Sequence, residues 1–260
     1  MMPVVGVWIA ESNEDRPGLP VVLVHGSMDR SGSWVRVVRE LRDVHTVRYD
    51  RRGYGRSREL GGGTMAQHVD DLFDVVAGRR CIVAGHSYGA AIALVGAEQR
   101  PELVRGVVAY EGPLSWRDWW PKASAGGTAM SEVRSGAQSG DAAERFLRRM
   151  LGDEKWESLP ARTRDERRAE GEALIIELMS ARDGAAPYDP ARITVPVISA
   201  RGTTSDEHLR RGAEVLASEI PGAVLAVIEG AGHGAHQSHA PELAALIRSC
   251  REAARYSPAR

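Results

Sequence analysis

Short apolar runs rich in β-branched residues recur along this chain, each followed by an amphipathic segment, and that alternation restricts it to one broad architecture. Residues 20–25, 44–49, 81–84, 104–110, 195–200 and 223–228 read as strands. Most are apolar at successive positions, which suits a parallel strand covered on both faces; a half-exposed strand would alternate with period two. Residues 34–41, 65–76, 90–99, 209–220 and 241–250 carry helical patterns between them. Thr64 and Gln67 are spaced for a capping box at the start of the second of these. Strand and helix in alternation predict an α/β fold, with a mostly parallel central sheet and helices on both faces.

The alternation breaks over residues 114–188. This stretch opens with Trp116, Trp119 and Trp120, passes through Gly- and Ser-rich sequence, and becomes helical and highly charged. A small helical cap inserted over the sheet is expected there, within a single domain spanning 1–260, since α/β folds of 260 residues commonly form one core. A pair of ordinary surface helices is the plainer alternative.

Composition excludes several classes of partner. Hydrophobic residues make up 43% and charged residues 27% of the chain, as in a packed globular protein. A formal charge of −1, with arginines scattered and not clustered, supplies no field for steering nucleic acid or an anionic membrane. Residues 1–10 are apolar but lack a basic leader and are too short to span a bilayer, so a first strand is expected in place of a signal peptide. Two cysteines, Cys81 and Cys250, cannot form a disulfide framework, which favours the reducing cytoplasm.

The chemistry concentrates after the third of these strands, where Gly85-His86-Ser87-Tyr88-Gly89 separates an apolar run from a helix of small residues. A serine on such a turn projects its hydroxyl above the sheet, and the flanking glycines let strand and helix approach closely. The idle alternative is a glycine-rich turn with an unused serine.

This elbow resembles that of the α/β-hydrolase family, and three further motifs extend the resemblance over nearly the whole chain. Leu23-Val24-His25-Gly26-Ser27 is similar to the family's His-Gly loop. Asp50-Arg51-Arg52-Gly53-Tyr54-Gly55-Arg56-Ser57 is similar to its Asp-x-Arg-Gly-x-Gly-x-Ser loop, and Gly230-Ala231-Gly232-His233 to the loop carrying its histidine. The resemblance implies Ser87 as nucleophile, His233 as general base, and the backbone N–H groups of Ser27 and Tyr88 as an oxyanion hole. It implies no cofactor and no metal. Under it, His25, Asp50 and His86 are structural residues that shape the loops.

Histidine suits general-base chemistry because its ordinary pKa lies near neutrality. His236 and His239 follow His233 at three-residue spacing, but no carboxylate or cysteine cluster accompanies them to make a metal site.

Two carboxylates compete for the third place in a triad. Asp206 lies near the family's usual acid position, although Ser205 occupies the usual spacing, and Thr204 with Glu207 forms a capping-box pattern that would give Asp206 a helix-start role. Glu111 ends the strand after the nucleophile helix, the position from which haloalkane dehalogenases and some related hydrolases take their acid. Glu111 is favoured, because active sites gather at the carboxyl edge of a parallel sheet.

The expected reaction is acyl transfer on a small, partly apolar ester, thioester or lactone, through an acyl-enzyme on Ser87. The three tryptophans are expected to line the substrate pocket, or else to serve as core. A serine at position 87 argues against dehalogenase or epoxide hydrolase chemistry, which uses a carboxylate nucleophile. A perhydrolase or C–C-bond hydrolase would keep the same triad, and a non-catalytic ligand receptor on this fold is the alternative of another class.

Overall fold

The six apolar runs and a short amino-terminal segment form a seven-stranded sheet in the computed structural model, which describes residues 6–182 and 186–256. The strands are β1 (Ile9–Ser12), β2 (Val21–Val24), β3 (Thr46–Tyr49), β4 (Cys81–His86), β5 (Val104–Tyr110), β6 (Val197–Gly202) and β7 (Val224–Ile228). Their spatial order is β1-β3-β2-β4-β5-β6-β7. β1 pairs antiparallel with β3, and all other neighbours are parallel. The strand expected over residues 1–10 begins only at Ile9. Residues 1–5 lie outside the described residues, and the Trp8 N–H donates to Ser57 Oγ at 2.8 Å and not to a neighbouring strand.

The helices are α1 (Val35–Glu40), α2 (Met65–Val76), α3 (Tyr88–Gln99), α4 (Ala125–Arg134), α5 (Ser139–Leu151), α6 (Asp153–Glu157), α7 (Ala161–Ala169), α8 (Gly171–Arg182), α9 (Glu207–Glu219), α10 (Ala235–Ser238) and α11 (Ala240–Tyr256). α2 starts with the capping box: Gln67 N–H donates to Thr64 Oγ1, and Thr64 N–H donates to Gln67 Oε1.

Continuous apolar strands are explained by the two cores they separate. Val22 and Val24 of β2, with Val83 of β4 and Val107 of β5, pack with α2, α3 and α9 on one face. Val21 and Leu23, with Ile82 and Val108, pack with α1 and α11 on the other. Successive side chains point to opposite faces, so both parities must be apolar. β7 departs from this expectation: as the edge strand it leaves Val224, Leu225 and Val227 exposed.

Between β5 and β6 the chain forms α4 to α8. Phe146 and Leu147 of α5, Trp156 of α6 and Leu174 of α8 form a separate apolar cluster that rests on Met28 and Tyr54 from the loops after β2 and β3. The highly charged α7 buries no side chain fully. These helices are thus held on the sheet through the same loops that border the candidate site.

The turn from β4 into α3 brings backbone against backbone. A Cβ on Gly89 would lie 2.3 Å from the Val24 carbonyl oxygen, and one on Gly85 would lie 2.3 Å from that of Gly89. Neither neighbour is a flexible side chain, so only glycine fits. Gly89→Ala is therefore expected to destabilise the fold by about 3 kcal/mol, lowering Tm by roughly 6–12 °C for a chain of this size. A thermal melt superimposable on the parent's would contradict so close an approach.

Candidate active site

Ser87 is the single residue between β4 and α3, with φ 53° and ψ −123°. A positive φ in a non-glycine residue typically costs about 1–3 kcal/mol and persists only where the surroundings impose it. They do so here: Ser87 N–H donates to the Tyr110 carbonyl at 2.9 Å, and its own carbonyl accepts from Ala90 N–H at 2.8 Å. Tyr88 is the first residue of α3, so helix geometry leaves its N–H without an intrahelical acceptor.

Glu111 follows β5 directly, also at positive φ (49°). It is fully buried, and both carboxylate oxygens are engaged. Oε1 accepts the Gly202 N–H at 2.9 Å, and Oε2 lies 2.6 Å from His233 Nδ1. Burial alone would raise this carboxyl; the hydrogen bond and charge of His233, together with the Gly202 N–H, more than offset it and hold the group below its ordinary 4.5. The His233 loop is itself fixed, because Tyr110 hydroxyl donates to the Gly232 carbonyl at 2.7 Å and His86 Nε2 donates to the His233 carbonyl at 2.8 Å.

Asp206 does not meet His233. It is the residue before α9, exposed, with no side-chain hydrogen bond capping the helix. The Thr204–Glu207 capping box is not formed either. Thr204 N–H is drawn instead to the Ala231 carbonyl at 2.9 Å, so the helix starts two residues later than that pattern implies.

The loop after β2 is held from beneath. His25 Nε2 accepts the Arg51 N–H at 2.9 Å, which leaves the ring proton on Nδ1 to donate to the Gly26 carbonyl at 2.8 Å. Asp50 accepts from Ser31 N–H at 2.8 Å and Arg56 N–H at 3.0 Å, organising the loops around it. His233, His236 and His239 do not converge: His236 is buried 3.4 Å from Asp29, whereas half-buried His239 bonds Ser238. Asp29, His86 and His236 do bring ligand atoms within 4.8 Å of one another. However, His86 Nε2 is committed to the His233 carbonyl, and Asp29 accepts from Ser33 and pairs with His236. The three side chains form a polar cluster beneath the His233 loop.

Ser27, Ser87, Tyr88, His233, Asp206 and Trp120 line one cavity of about 270 Å³, closed from the cap by Phe146, Arg149, Met150 and Leu178. Of the three tryptophans expected there, only Trp120 borders it. Trp116 instead packs edge-on against Tyr188, and Trp119 lies under Arg211, 4.3 Å from its ring centre. Both pack onto the sheet core, because the 114–120 segment runs along the sheet before the cap begins.

Gly202 and Tyr110 escape sequence reasoning. Each acts on the Glu111–His233 pair by way of a backbone group, and the only signal is the position of each at a strand end next to a motif.

The profile of the Alpha/beta hydrolase family matches residues 21–246. The chain belongs to that family. Among sequence relatives, a pimeloyl-acyl-carrier-protein methyl ester esterase of Yersinia pseudotuberculosis is 28% identical over 243 residues, covering 87% of this chain and 91% of the relative. Epoxide hydrolase B of Mycobacterium tuberculosis is 32% identical over 117 residues, covering 42% of this chain and 33% of that protein. Of solved structures, the enol-lactonase from Burkholderia xenovorans LB400 superposes with a TM-score of 0.72 at 21% identity, over 94% of this chain and 95% of that one. The resemblance at this identity is one of fold.

Burial keeps three of the α/β-hydrolase's interior histidines, His25, His68 and His86, neutral. Desolvation, with the Arg51 charge, pulls His25 from its ordinary 6.5 to about 3, and desolvation also lowers His68 and His86. Between about pH 3 and 6.5 the unfolded chain binds a proton at His25 that the folded chain does not. Stability therefore rises with pH through that window and levels off above it, with a slope near 1.4 kcal/mol per pH unit per such histidine. Urea unfolding at pH 7.5 and pH 5 is expected to show a loss of about 2 kcal/mol from His25 alone, and more with His68 and His86. Equal midpoints at the two pH values would contradict neutral burial.

Proposed function

We propose that this α/β-hydrolase is a cytoplasmic serine hydrolase that cleaves an ester, thioester or lactone of a small, partly apolar substrate through an acyl-enzyme. The observation that carries the reading is the 2.6 Å contact between buried Glu111 and His233, on a cavity that also contains the strained Ser87. The esterase and lactonase activities named for the relatives support the substrate class, and two buried free cysteines support a reducing compartment.

In this mechanism Ser87 Oγ attacks the substrate carbonyl carbon and its proton passes to His233 Nε2, the nitrogen facing away from Glu111. The carbonyl oxygen becomes an oxyanion and accepts from the Ser27 and Tyr88 N–H groups. Collapse of the tetrahedral species expels the alcohol, thiol or ring oxygen, which takes the proton from His233. Water then attacks the acyl-enzyme, His233 removes its proton, and the acid leaves as Ser87 is reprotonated. Glu111 holds the Nδ1–H tautomer and stabilises the imidazolium; it does not need to accept the proton. Trp120, Phe146, Met150 and Leu178 would receive the apolar part of the substrate.

Epoxide opening by a covalent ester would require a carboxylate at position 87, where this chain has serine. A perhydrolase or C–C-bond hydrolase would use the same three groups and differ in substrate profile. A receptor on this fold would not react with a fluorophosphonate, whereas the proposed enzyme is labelled at Ser87.

Ser87→Ala is expected to abolish hydrolysis of a p-nitrophenyl acyl ester while leaving the protein folded, with His233→Ala nearly equal to it because the residues act as a unit. Unchanged turnover in either homogeneous variant would refute the assignment. Glu111→Gln is expected to lower kcat by up to about 10⁴-fold, whereas Asp206→Asn should keep wild-type turnover. The reverse order of those two effects would move the acid to Asp206.

A further inference from the structure

The loop at residues 50–57 matches a motif whose second position is open, and in this chain that position is Arg51. Its side chain is fully buried. A guanidinium does not deprotonate in a protein, so burying one requires acceptors for its fork and a counter-charge. Here Nε donates to the His25 carbonyl at 3.0 Å, Nη2 to the Gly26 carbonyl at 2.8 Å, and Nη1 to Glu177 Oε2 at 2.9 Å. The guanidinium carbon lies over the rings of Tyr54 and Tyr88, 5.0 and 5.2 Å from their centres. Glu177, equally buried, belongs to α8 of the cap, 126 residues away in sequence.

The Gly26 carbonyl is one end of the peptide unit whose other end is the Ser27 N–H. In a planar trans peptide the C=O and N–H bonds point in opposite directions, so an anchor on the oxygen aims the hydrogen. Two donors anchor this oxygen, Arg51 Nη2 and His25 Nδ1, both at 2.8 Å. Hydrogen bonds to the carbonyl also polarise the amide and strengthen its N–H as a donor.

We infer that Arg51 is a positioning residue for the Ser27 amide of the oxyanion hole, and that its pairing with Glu177 makes this positioning depend on the seating of the cap. The inference rests on the acyl-transfer reading above. Other contacts tie the cap to the same loops. Arg167 Nη1 donates to the Met28 carbonyl at 2.9 Å, Arg30 Nη2 to Glu170 Oε1 at 2.9 Å, and Gly55 N–H to Glu170 Oε1 at 2.8 Å. The cap that closes the substrate cavity is therefore the element that neutralises the cation orienting the oxyanion donor. Among the described residues, the carboxylate that pairs with Arg51 is Glu177. Lifting α8 would strand the Arg51 charge and loosen its hold on both carbonyls, so full stabilisation of the oxyanion is available only with the cap seated over the substrate.

The test is the double variant Arg51→Met/Glu177→Leu, which removes both charges at similar volume and so avoids an unpaired buried ion. Hydrolysis of a p-nitrophenyl ester is measured with inhibition by an alkyl trifluoromethyl ketone, which forms an oxyanion adduct on serine, and by the matching methyl ketone, which serves as the ground-state control. We expect kcat to fall about 10²-fold, as on loss of an oxyanion donor, with KM within about three-fold. Trifluoromethyl ketone affinity should fall in parallel with kcat/KM, with methyl ketone affinity unchanged.

Should the double variant fail to fold, Arg51→Lys carries the same expectation, because it keeps a cation near Glu177 but lacks the fork that spans two carbonyls. A folded variant with parental kcat and parental trifluoromethyl ketone affinity overturns the inference alone. So does equal loss of affinity for both ketones, which would mark a collapsed pocket. A parent protein that neither hydrolyses the ester nor binds the trifluoromethyl ketone overturns the acyl-transfer reading and this inference with it.

Discussion

The parallel pairing of β4 with β5 is the constraint on which the candidate site depends. His86 stands opposite Tyr110 in that register, so the next residue of each strand, Ser87 and Glu111, leaves the sheet at the same edge. Both residues take a positive φ there, 53° and 49°, and the backbones are tied by the bond from Ser87 N–H to the Tyr110 carbonyl. One step across the sheet, β6 contributes the Gly202 N–H to the Glu111 carboxylate. Two neighbouring strand ends thus present Ser87 and Glu111, and His233, on the loop after β7, lies against Glu111. A carboxylate delivered this way is rigid, because its orientation derives from the ladder rather than from a loop.

Positive charge is allotted narrowly in the interior. Burial holds His25, His68 and His86 neutral, while Arg51 retains its charge between two aromatic rings and Glu177. A second protonated ring beside an imidazolium at His233 would be repulsive, and His86, with its ring centre 4.5 Å away, is desolvated enough to avoid it. The same low-dielectric surroundings strengthen the Arg51 bonds to the His25 and Gly26 carbonyls. Strain at Ser87 and a buried cation at Arg51 are both costs to folding, and both are located where the proposed chemistry needs fixed groups.

Much of this architecture is legible in local sequence pattern. The strands between residues 20 and 228 lie within two residues of their expected starts and ends, and α2 spans the expected 65–76. A strand buried on both faces and a capped amphipathic helix each leave a signature confined to a few neighbouring residues. Gly85, Ser87 and Gly89 are readable because they lie together on one turn, although only the Gly85 contact, with the Gly89 carbonyl, is local; Gly89 is held to glycine by the Val24 carbonyl of another strand. Edge position is not local, and so β7 looks as apolar as its neighbours although much of it is exposed.

Contacts between distant segments are decided only by the folded chain. Glu111 and Asp206 both lie near a strand end in sequence, and nothing local says which one reaches an imidazole 122 residues from Glu111; the strand order β4-β5-β6-β7 does. The tryptophans share one segment and all three pack on the core, but of the three only Trp120 also borders the cavity. Arg51 and Glu177 carry no pattern in sequence, since each looks like one more charged residue in a chain with 27% of them. Their pairing exists because the cap lays α8 over the loops after β2 and β3, and burial then leaves each charge the other as its counter-ion.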